Sequence, residues 1–303
     1  MRLASLLVGS SIVVGAPLAA HAQAFVDEPN SLSAGLLYTY APSGTLEVST
    51  GEVPNILIFA HFVTLSADYA TPINGLQVEA ELPLAIVKQG EGSFSHFPTA
   101  GEWDDGDVHY GPTDLKGGLR YQIKPIEQYL GLALSAGGLY PTWDYPTNGY
   151  TAPAHHLWGI YGGISVARTL DPLLSDLFVA ANYTYMHRQR LDADDTTDDF
   201  NRDYSEASFQ VGYFLPYDFT IAASAEMRES HGGVTFDNIL MQSETVIRRH
   251  DQLLDEDYWL AGGDLGYQVT DSFDIGASFR IFVSGTNTRN QNLYAFAMNY
   301  RFF

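Results

Sequence analysis

The sequence predicts an all-β fold: a closed antiparallel transmembrane β-barrel of about 12 strands that follows a cleaved signal peptide. Three observations carry this prediction. Many segments of about ten residues alternate apolar with small or polar residues. Short turns and long loops alternate between those segments. The chain also begins with an export signal, which takes the protein out of the cytoplasm.

The N-terminus, residues 1–22, has the features of a secretory signal peptide. Arg2 is followed by an apolar run over residues 3–20 and then by Ala20-His21-Ala22, an Ala-x-Ala cleavage site. Gly and Pro residues interrupt the run, so it makes a poor spanning helix. We expect cleavage after Ala22, which leaves residues 23–303 as the barrel.

Composition limits the partners of the exported chain. The sequence has no cysteine, so its stability must come from backbone pairing and burial. Its net charge of −21 excludes binding to nucleic acid through phosphate contacts. The expected partners are instead outer-membrane lipid and lipopolysaccharide, with divalent cations between the acidic surface and the anionic headgroups. No cofactor is implied.

The strands are predicted from period-two alternation, because successive side chains of a strand point to opposite faces. The clearest segment begins at Leu76, where large apolar residues alternate with Gln77, Glu79 and Glu81. The predicted strands are residues 32–41, 58–71, 76–86, 113–123, 129–140, 157–168, 177–187, 204–215, 219–228, 258–269, 273–283 and 293–303.

The connections between these strands predict the topology. Short turns follow the even-numbered strands, and one of them is the hairpin signal Asn74-Gly75. Long loops follow the odd-numbered strands, among them residues 42–55, 89–110 and 284–287. An even strand count puts both termini on one side, which in bacterial outer-membrane barrels is the periplasmic side. Closure also removes the unpaired strand edges that lipid cannot satisfy.

The last strand resembles the closing strand of bacterial outer-membrane barrels. It ends on Tyr300-Arg301-Phe302-Phe303, one residue beyond the usual terminal aromatic. We assign Phe302 to the outer face, because the other phase would put Arg301 on lipid at a cost in free energy. The resemblance implies that Tyr300, Phe302 and Phe303 form a signal recognised by the barrel-assembly machinery.

The inward faces are predicted to carry ionisable side chains of both signs. Burying so many charges in a dry core would cost more than their pairing returns. They therefore line a hydrated lumen or form an ion-pair network that fills it. The residues assigned to the lumen are Asp68, Glu79, Glu81, Asp114, Lys116, Arg120, Glu226, Arg228, Asp264, Arg280 and Arg301.

Aromatic side chains gather in two of the predicted outer loops. Trp103, Trp143, Tyr145 and Tyr150, with Trp158 beside the second loop, could capture an aromatic or apolar solute before it enters the barrel. Anchoring at the membrane interface would use the same residue types.

Enzymatic and metal-binding motifs are absent from the sequence. The histidines predicted at the rim do not have a catalytic spacing; they are His109 beside Asp107, the pair His155-His156, and His250 beside Asp251. The acidic run 192–199 lacks the turn glycine and closing Glu of a calcium loop. We predict no catalytic residue and no metal site.

Two segments resemble a family of bacterial outer-membrane proteins named after meta-pathway phenol degradation. Residues 65–78 share its Asp-Tyr before a short turn, and residues 111–121 are similar to its Gly-x-x-Asp-Leu strand opening. The resemblance implies an outer-membrane barrel with a role in the uptake of hydrophobic or aromatic compounds, and it carries over no catalytic residue.

These observations together predict a porin-like barrel in the bacterial outer membrane that allows passive uptake of small, hydrophobic or aromatic, solutes. The alternative is a structural or adhesive barrel whose acidic outer loops bind cations, without transport.

Overall fold

The structure is a computed structural model. It describes residues 24–48, 51–90, 103, 105–123, 130–147, 151–170, 174, 176–192, 199–200, 202–235, 252 and 254–303. The predicted signal peptide, residues 1–22, lies outside this part of the chain. Within it, no helix has the length and apolar character needed to cross a membrane.

The described residues form strands almost throughout. In chain order they are β1 (Leu32–Val48), β2 (Gly51–Ala70), β3 (Leu76–Gln89), β4 (Val108–Pro112), β5 (Asp114–Ile123), β6 (Leu130–Pro141), β7 (Gly159–Thr169), β8 (Leu177–Arg188), β9 (Leu191–Asp192), β10 (Asp199–Phe200), β11 (Tyr204–Leu215), β12 (Phe219–Ser230), β13 (Asp257–Thr270), β14 (Phe273–Thr286), β15 (Thr288–Gln291) and β16 (Leu293–Arg301).

Twelve of these strands close into one antiparallel barrel. Each pairs with its neighbour along the chain, and the sheet runs β1-β2-β3-β5-β6-β7-β8-β11-β12-β13-β14-β16. The last strand returns to the first, with Leu36 opposite Met298 and Tyr40 opposite Tyr294. Closure satisfies the backbone of every spanning strand, as the apolar part of a bilayer requires.

The predicted loop 42–55 is wrong for the residues that the structure describes. Strands β1 and β2 continue through this region, and Val48 still pairs with Gly51. Cross-strand pairing satisfies the backbone groups there, which a free loop would leave to water. Strand β15 extends this wall by pairing with the outer half of β1, and β4 pairs with the outer half of β3.

The loop predicted at residues 284–287 is shorter than expected. Strand β14 continues to Thr286, which pairs with Asp257, and β15 begins two residues later at Thr288.

The two faces of the barrel wall differ in polarity, as the alternation predicts. Outward side chains are large and exposed, among them Leu119 at 51 % and Phe209 at 51 %. Inward positions of the same strands hold buried polar groups such as Arg120 and Gln210. An apolar outer wall around a polar interior is the arrangement of a membrane-spanning barrel.

The two ends of the barrel also differ. At one end of the barrel the connections between strands are short, such as residues 71–75 and 216–218. The first strand begins and the last strand ends there, and we call it the turn end. Gly75 has a φ of 83°, which the predicted Asn-Gly turn needs, and a Cβ there would lie 2.8 Å from the Gln122 carbonyl oxygen. The opposite end is the loop end, which in outer-membrane barrels faces outward.

Candidate functional site

The N-terminal segment, residues 24–31, crosses the lumen at the turn end. It leaves the wall at β1, where the Asn30 amide donates to the Ala70 carbonyl at 2.7 Å. At its other end Ala24 packs against Ala167 and Ala180, on strands β7 and β8. These strands lie on the side of the barrel facing β1. The segment therefore narrows the lumen at this end.

Polar contacts hold the middle of this segment to the wall. The Val26 amide donates to Oε1 of Gln122 at 3.0 Å. Asp27 accepts a hydrogen bond from Ser33 at 3.2 Å, and its carboxylate lies 3.6 Å from a guanidinium nitrogen of Arg301. Burial raises the pKa of the Asp27 carboxyl, and the charge of Arg301 opposes that shift.

The predicted lumen residues separate into groups on different walls. One group lies on β2, β3 and β5, where Nη2 of Arg120 lies 2.8 Å from Oε1 of Glu79. Glu81 stands opposite Lys116 in the strand register, and Lys116 also lies over the Tyr161 ring at 4.9 Å. Asp68 completes the group and accepts a hydrogen bond from Gln77 at 3.0 Å.

A second group occupies the opposite wall, on β12, β13 and β14. Arg280 is 2 % exposed and contacts Oε1 of Glu226 at 2.7 Å and Oδ1 of Asp264 at 2.7 Å. Gln210 and Ser224 each donate to the other Asp264 oxygen at 2.9 Å. The guanidinium thus holds three strands together through buried ion pairs.

Arg228 lies near the loop end of β12. Its guanidinium contacts Glu206 at 2.5 Å and Glu256 at 3.6 Å, and it lies over the rings of Tyr204 and Tyr258. The two remaining predicted residues lie elsewhere. Arg301 contacts the N-terminal segment at the turn end. Asp114 is fully buried at the loop end of β5.

The facing walls come close to each other inside the barrel. Lys116 of β5 lies within electrostatic range of Glu206 of β11, although three strands, β6, β7 and β8, lie between β5 and β11 in the sheet. A barrel of twelve strands also encloses a narrower lumen than the larger general porins, so a solute path through it would be narrow.

A cavity of about 600 Å³ lies at the loop end between β6, β7 and β8. Its walls include the outward side chains of Tyr140 and Trp158, which are 69 % and 44 % exposed. Its remaining walls are formed by Pro141, Thr142, Trp143, Asp144, Thr147, His156, Leu157, Gln189 and Gln252. Aromatic walls with a few polar groups are typical of sites for small apolar ligands.

The predicted loop aromatics meet in part at this cavity. Trp143 lines it, and its ring lies 6.4 Å from Trp103 and 6.1 Å from Tyr145. Trp103 is buried and stacks on His109 at 5.0 Å rather than facing the cavity. Tyr145 lies behind the wall. The fourth residue, Tyr150, lies outside the described part of the chain.

Hydrogen bonds fix the position of the Trp143 ring. Its indole nitrogen donates to the Pro112 carbonyl at 2.5 Å, and its ring lies on Gly111, where a Cβ would be 2.5 Å from Cζ2 of the indole. Behind it, the Tyr145 hydroxyl donates to Asp114 and accepts from the His156 amide at 2.9 Å. Burial, and then the charge of Asp114, raise the pKa of Tyr145.

The rim histidines take part in local contacts. His109 contacts Asp105 at 2.8 Å, not the predicted Asp107, and this hydrogen bond lowers the pKa of the Asp105 carboxyl. His156 contacts the Trp143 carbonyl at 3.1 Å. His250 and Asp251 lie outside the described residues, as does most of the acidic run 192–199. The described residues contain no group of three or more His, Cys, Asp or Glu side chains arranged for a metal ion.

A polar network on the outer wall at the loop end was not predicted from the sequence. Ser205 contacts Nε2 of His231 at 2.7 Å and the Tyr183 hydroxyl at 2.8 Å. Asp203 accepts from the Tyr185 hydroxyl at 2.8 Å and lies 2.9 Å from Nδ1 of His187. Because Ser205 is only 3 % exposed, its hydroxyl group contacts these side chains rather than solvent.

Sequence reasoning missed several residues of the loop end. Gln189 and Gln252 line the cavity but carry no motif, whereas Trp158, which also lines it, belongs to the predicted aromatic cluster. Arg188 sits at the end of β8 in the inward phase, so the alternation that identified Arg228 could have found it. The position of Gln252 could not be read from the sequence, because its contact with the His155 carbonyl joins residues 97 positions apart.

The fold and the distribution of polar groups define a bacterial outer-membrane β-barrel. No protein-family model matches the sequence, and a search of curated proteins finds no relative. Among solved structures, the chain is similar to the COG4313 outer-membrane channel from Pseudomonas putida F1, at 11 % identity and a TM-score of 0.71, over 92 % of this chain and 97 % of that one. It is also similar to the NanC porin, at 12 % identity and a TM-score of 0.53, over 88 % and 98 %. At these identities the likeness concerns the fold.

Proposed function

We propose that this barrel admits small solutes passively across the outer membrane, and that it takes aromatic or apolar ones from the cavity at its loop end. The observation that carries the proposal is that cavity, with Tyr140, Trp143 and Trp158 on its walls. Its outward aromatics can meet a solute that has partitioned into the membrane interface. The polar interior below it then offers a narrow path for one small molecule at a time.

Further support comes from the charges of the interior. The groups centred on Arg120 and Arg280 each form ion pairs with carboxylates on their own wall. We propose that the eleven predicted lumen residues line this path.

The test is single-channel conductance of the refolded protein in a planar bilayer, with phenol as the aromatic probe. Discrete conductance steps that phenol blocks would support the proposal. Trp143→Ala should weaken the block by about tenfold, since stacking on one aromatic ring contributes roughly 1–1.5 kcal/mol. The matched control is Trp259→Ala, at an outward tryptophan that is 49 % exposed and remote from the cavity.

A second variant tests the barrel without its N-terminal segment, because that segment narrows the lumen. Deleting residues 24–30 should raise the conductance. The proposal is wrong if both proteins, shown to be folded by heat-modifiable gel mobility, leave the bilayer silent. A block that Trp143→Ala and Trp259→Ala reduce equally would contradict the role of the cavity.

We also propose partners for the outer surface. The exposed side chains of Tyr300, Phe302 and Phe303 form the assembly signal for the barrel-assembly machinery, and Arg301 points inward between them, toward Asp27. The outer wall contacts lipid and, at the loop end, lipopolysaccharide. Truncating Phe302 and Phe303 together should reduce insertion by purified assembly machinery without changing spontaneous refolding in detergent.

A further inference from the structure

We infer that Arg188 anchors a binding site for organic acids, and that the preferred solute is an aromatic or apolar carboxylate. The inference rests on the proposed function and names its solute class. Arg188 is the last residue of β8, points into the barrel at the loop end and is 2 % exposed.

The other buried arginines of the barrel strands have carboxylate partners. Arg120, Arg228 and Arg280 each contact a carboxylate oxygen at 2.8 Å or less. Arg188 differs from them. Among the residues that the structure describes, its guanidinium contacts the Tyr204 side chain, through a hydrogen bond of 3.3 Å to the hydroxyl and a distance of 5.1 Å to the ring centroid. Its Nε is buried and unpaired.

Among the described residues, no carboxylate forms an ion pair with the Arg188 guanidinium. Asp114 lies within electrostatic range of Arg188. One of its oxygens accepts the hydrogen bond of Tyr145, and the other is buried without a hydrogen-bond partner. Glu206 and Glu256 contact Arg228, on the other side of the Tyr204 ring. Asp203 accepts a hydrogen bond from the backbone amide of Arg188 at 3.0 Å.

Arg202 adds a second buried guanidinium nearby. It donates to the Leu254 carbonyl and lies within electrostatic range of Glu256 and Asp255 as well as of Arg188 and Arg228. Burial lowers the pKa of Arg202 to about 10. Arg188 is a buried cation without an ion-paired carboxylate among the described residues, and an incoming carboxylate would offset the cost of burying it.

Apolar side chains next to Arg188 explain the rest of the solute. Leu139, Tyr161, Met186 and Tyr204 form one buried cluster, and Arg188 lies over the Tyr204 ring. A solute that enters the barrel at the loop end would meet the Arg188 guanidinium beside this apolar surface.

The experiment compares benzoate with benzamide, which has the same shape and no charge. Isothermal titration of the refolded protein at pH 7 should give at least about tenfold tighter binding of benzoate, because hydrogen bonds between charged partners are the stronger kind. Arg188→Gln should abolish the preference. Arg168→Gln, which removes an exposed arginine at the turn end, should preserve it.

Two outcomes would overturn the inference: equal affinities for the two probes in the natural protein, or an unchanged preference in Arg188→Gln. Arg188→Lys keeps the charge without the planar fork and should retain part of the preference, which provides a second variant if Arg188→Gln does not fold. Conductance measured on the same proteins separates the two proposals. A barrel that conducts but binds both probes equally would contradict the inference about Arg188 and still support passive uptake. A barrel that prefers benzoate but does not conduct would contradict passive uptake alone.

Discussion

The effect of an interior side chain on the barrel depends on the charged and polar groups that it contacts. Arg280 forms ion pairs with two carboxylates on two strands, while Arg188 forms none among the residues that the structure describes. The same residue type at two inward positions therefore stabilises the barrel in one place and provides an unsatisfied charge in the other. Alternation predicts that both side chains point inward, but it contains no information about which acids reach them.

Removing Arg280 is expected to destabilise the barrel strongly. Arg280→Met leaves Glu226 and Asp264 buried without their counter-charge, which costs about 3–5 kcal/mol in the free energy of unfolding. Urea unfolding in phospholipid bilayers measures this cost. Adding Glu226→Gln to the variant should restore part of the lost stability.

The control for this prediction is Arg168→Met, which changes an exposed arginine at the turn end and should have little effect. If Arg280→Met costs no more than this control, then water rather than Arg280 satisfies the two carboxylates.

At the scale of elements, we expect the docking of the N-terminal segment inside the lumen to depend on pH. The pKa of Asp27 is raised when the segment is docked, so the docked state binds a proton more tightly than the undocked state. Docking should therefore be strongest below the ordinary Asp pKa of about 4 and should weaken as the pH rises through the raised value. Arg301, Arg120, Glu28 and Asp274 also act on this carboxyl or its partner.

The measurement is conductance at pH 4 to about 7, where an ordinary carboxyl changes little in the upper half of the range. Conductance should fall as the pH is lowered, because protonation favours the docked segment. In Asp27→Asn the segment should stay docked, with low conductance at every pH. A conductance that rises on acidification in the natural protein, or an unchanged pH profile in the variant, would reject this account.

The strands themselves were the most predictable elements. All twelve barrel strands appear where alternation placed them, because each must present one face to lipid and the other to a polar interior. The error at residues 42–55 has a physical cause. Beyond the membrane the two-face requirement disappears, so polar or Gly- and Pro-containing segments can still pair as strands.

For the whole molecule, the outer wall should tolerate charge only away from its middle. Leu119 lies halfway along β5 on the outer face and is 51 % exposed. Leu119→Arg should cost about 2–4 kcal/mol of stability in a bilayer. Leu119→Ala separates the loss of apolar area from the effect of the charge.

The same substitution at the turn end is the control. Tyr217→Arg, at a residue that is 86 % exposed beyond the ends of β11 and β12, should change stability little. Equal costs at the two positions would mean that Leu119 does not face lipid.

The sequence by itself determined the barrel, its strand count, its connectivity and the inward placement of its charges. These follow from period-two alternation and from the need to pair every backbone group in lipid. Only the tertiary structure decided which charges pair, that residues 24–31 cross the lumen, and that Trp143, Trp158 and Gln252 share one cavity. These contacts join residues far apart in the chain, and their geometry depends on barrel closure and strand register.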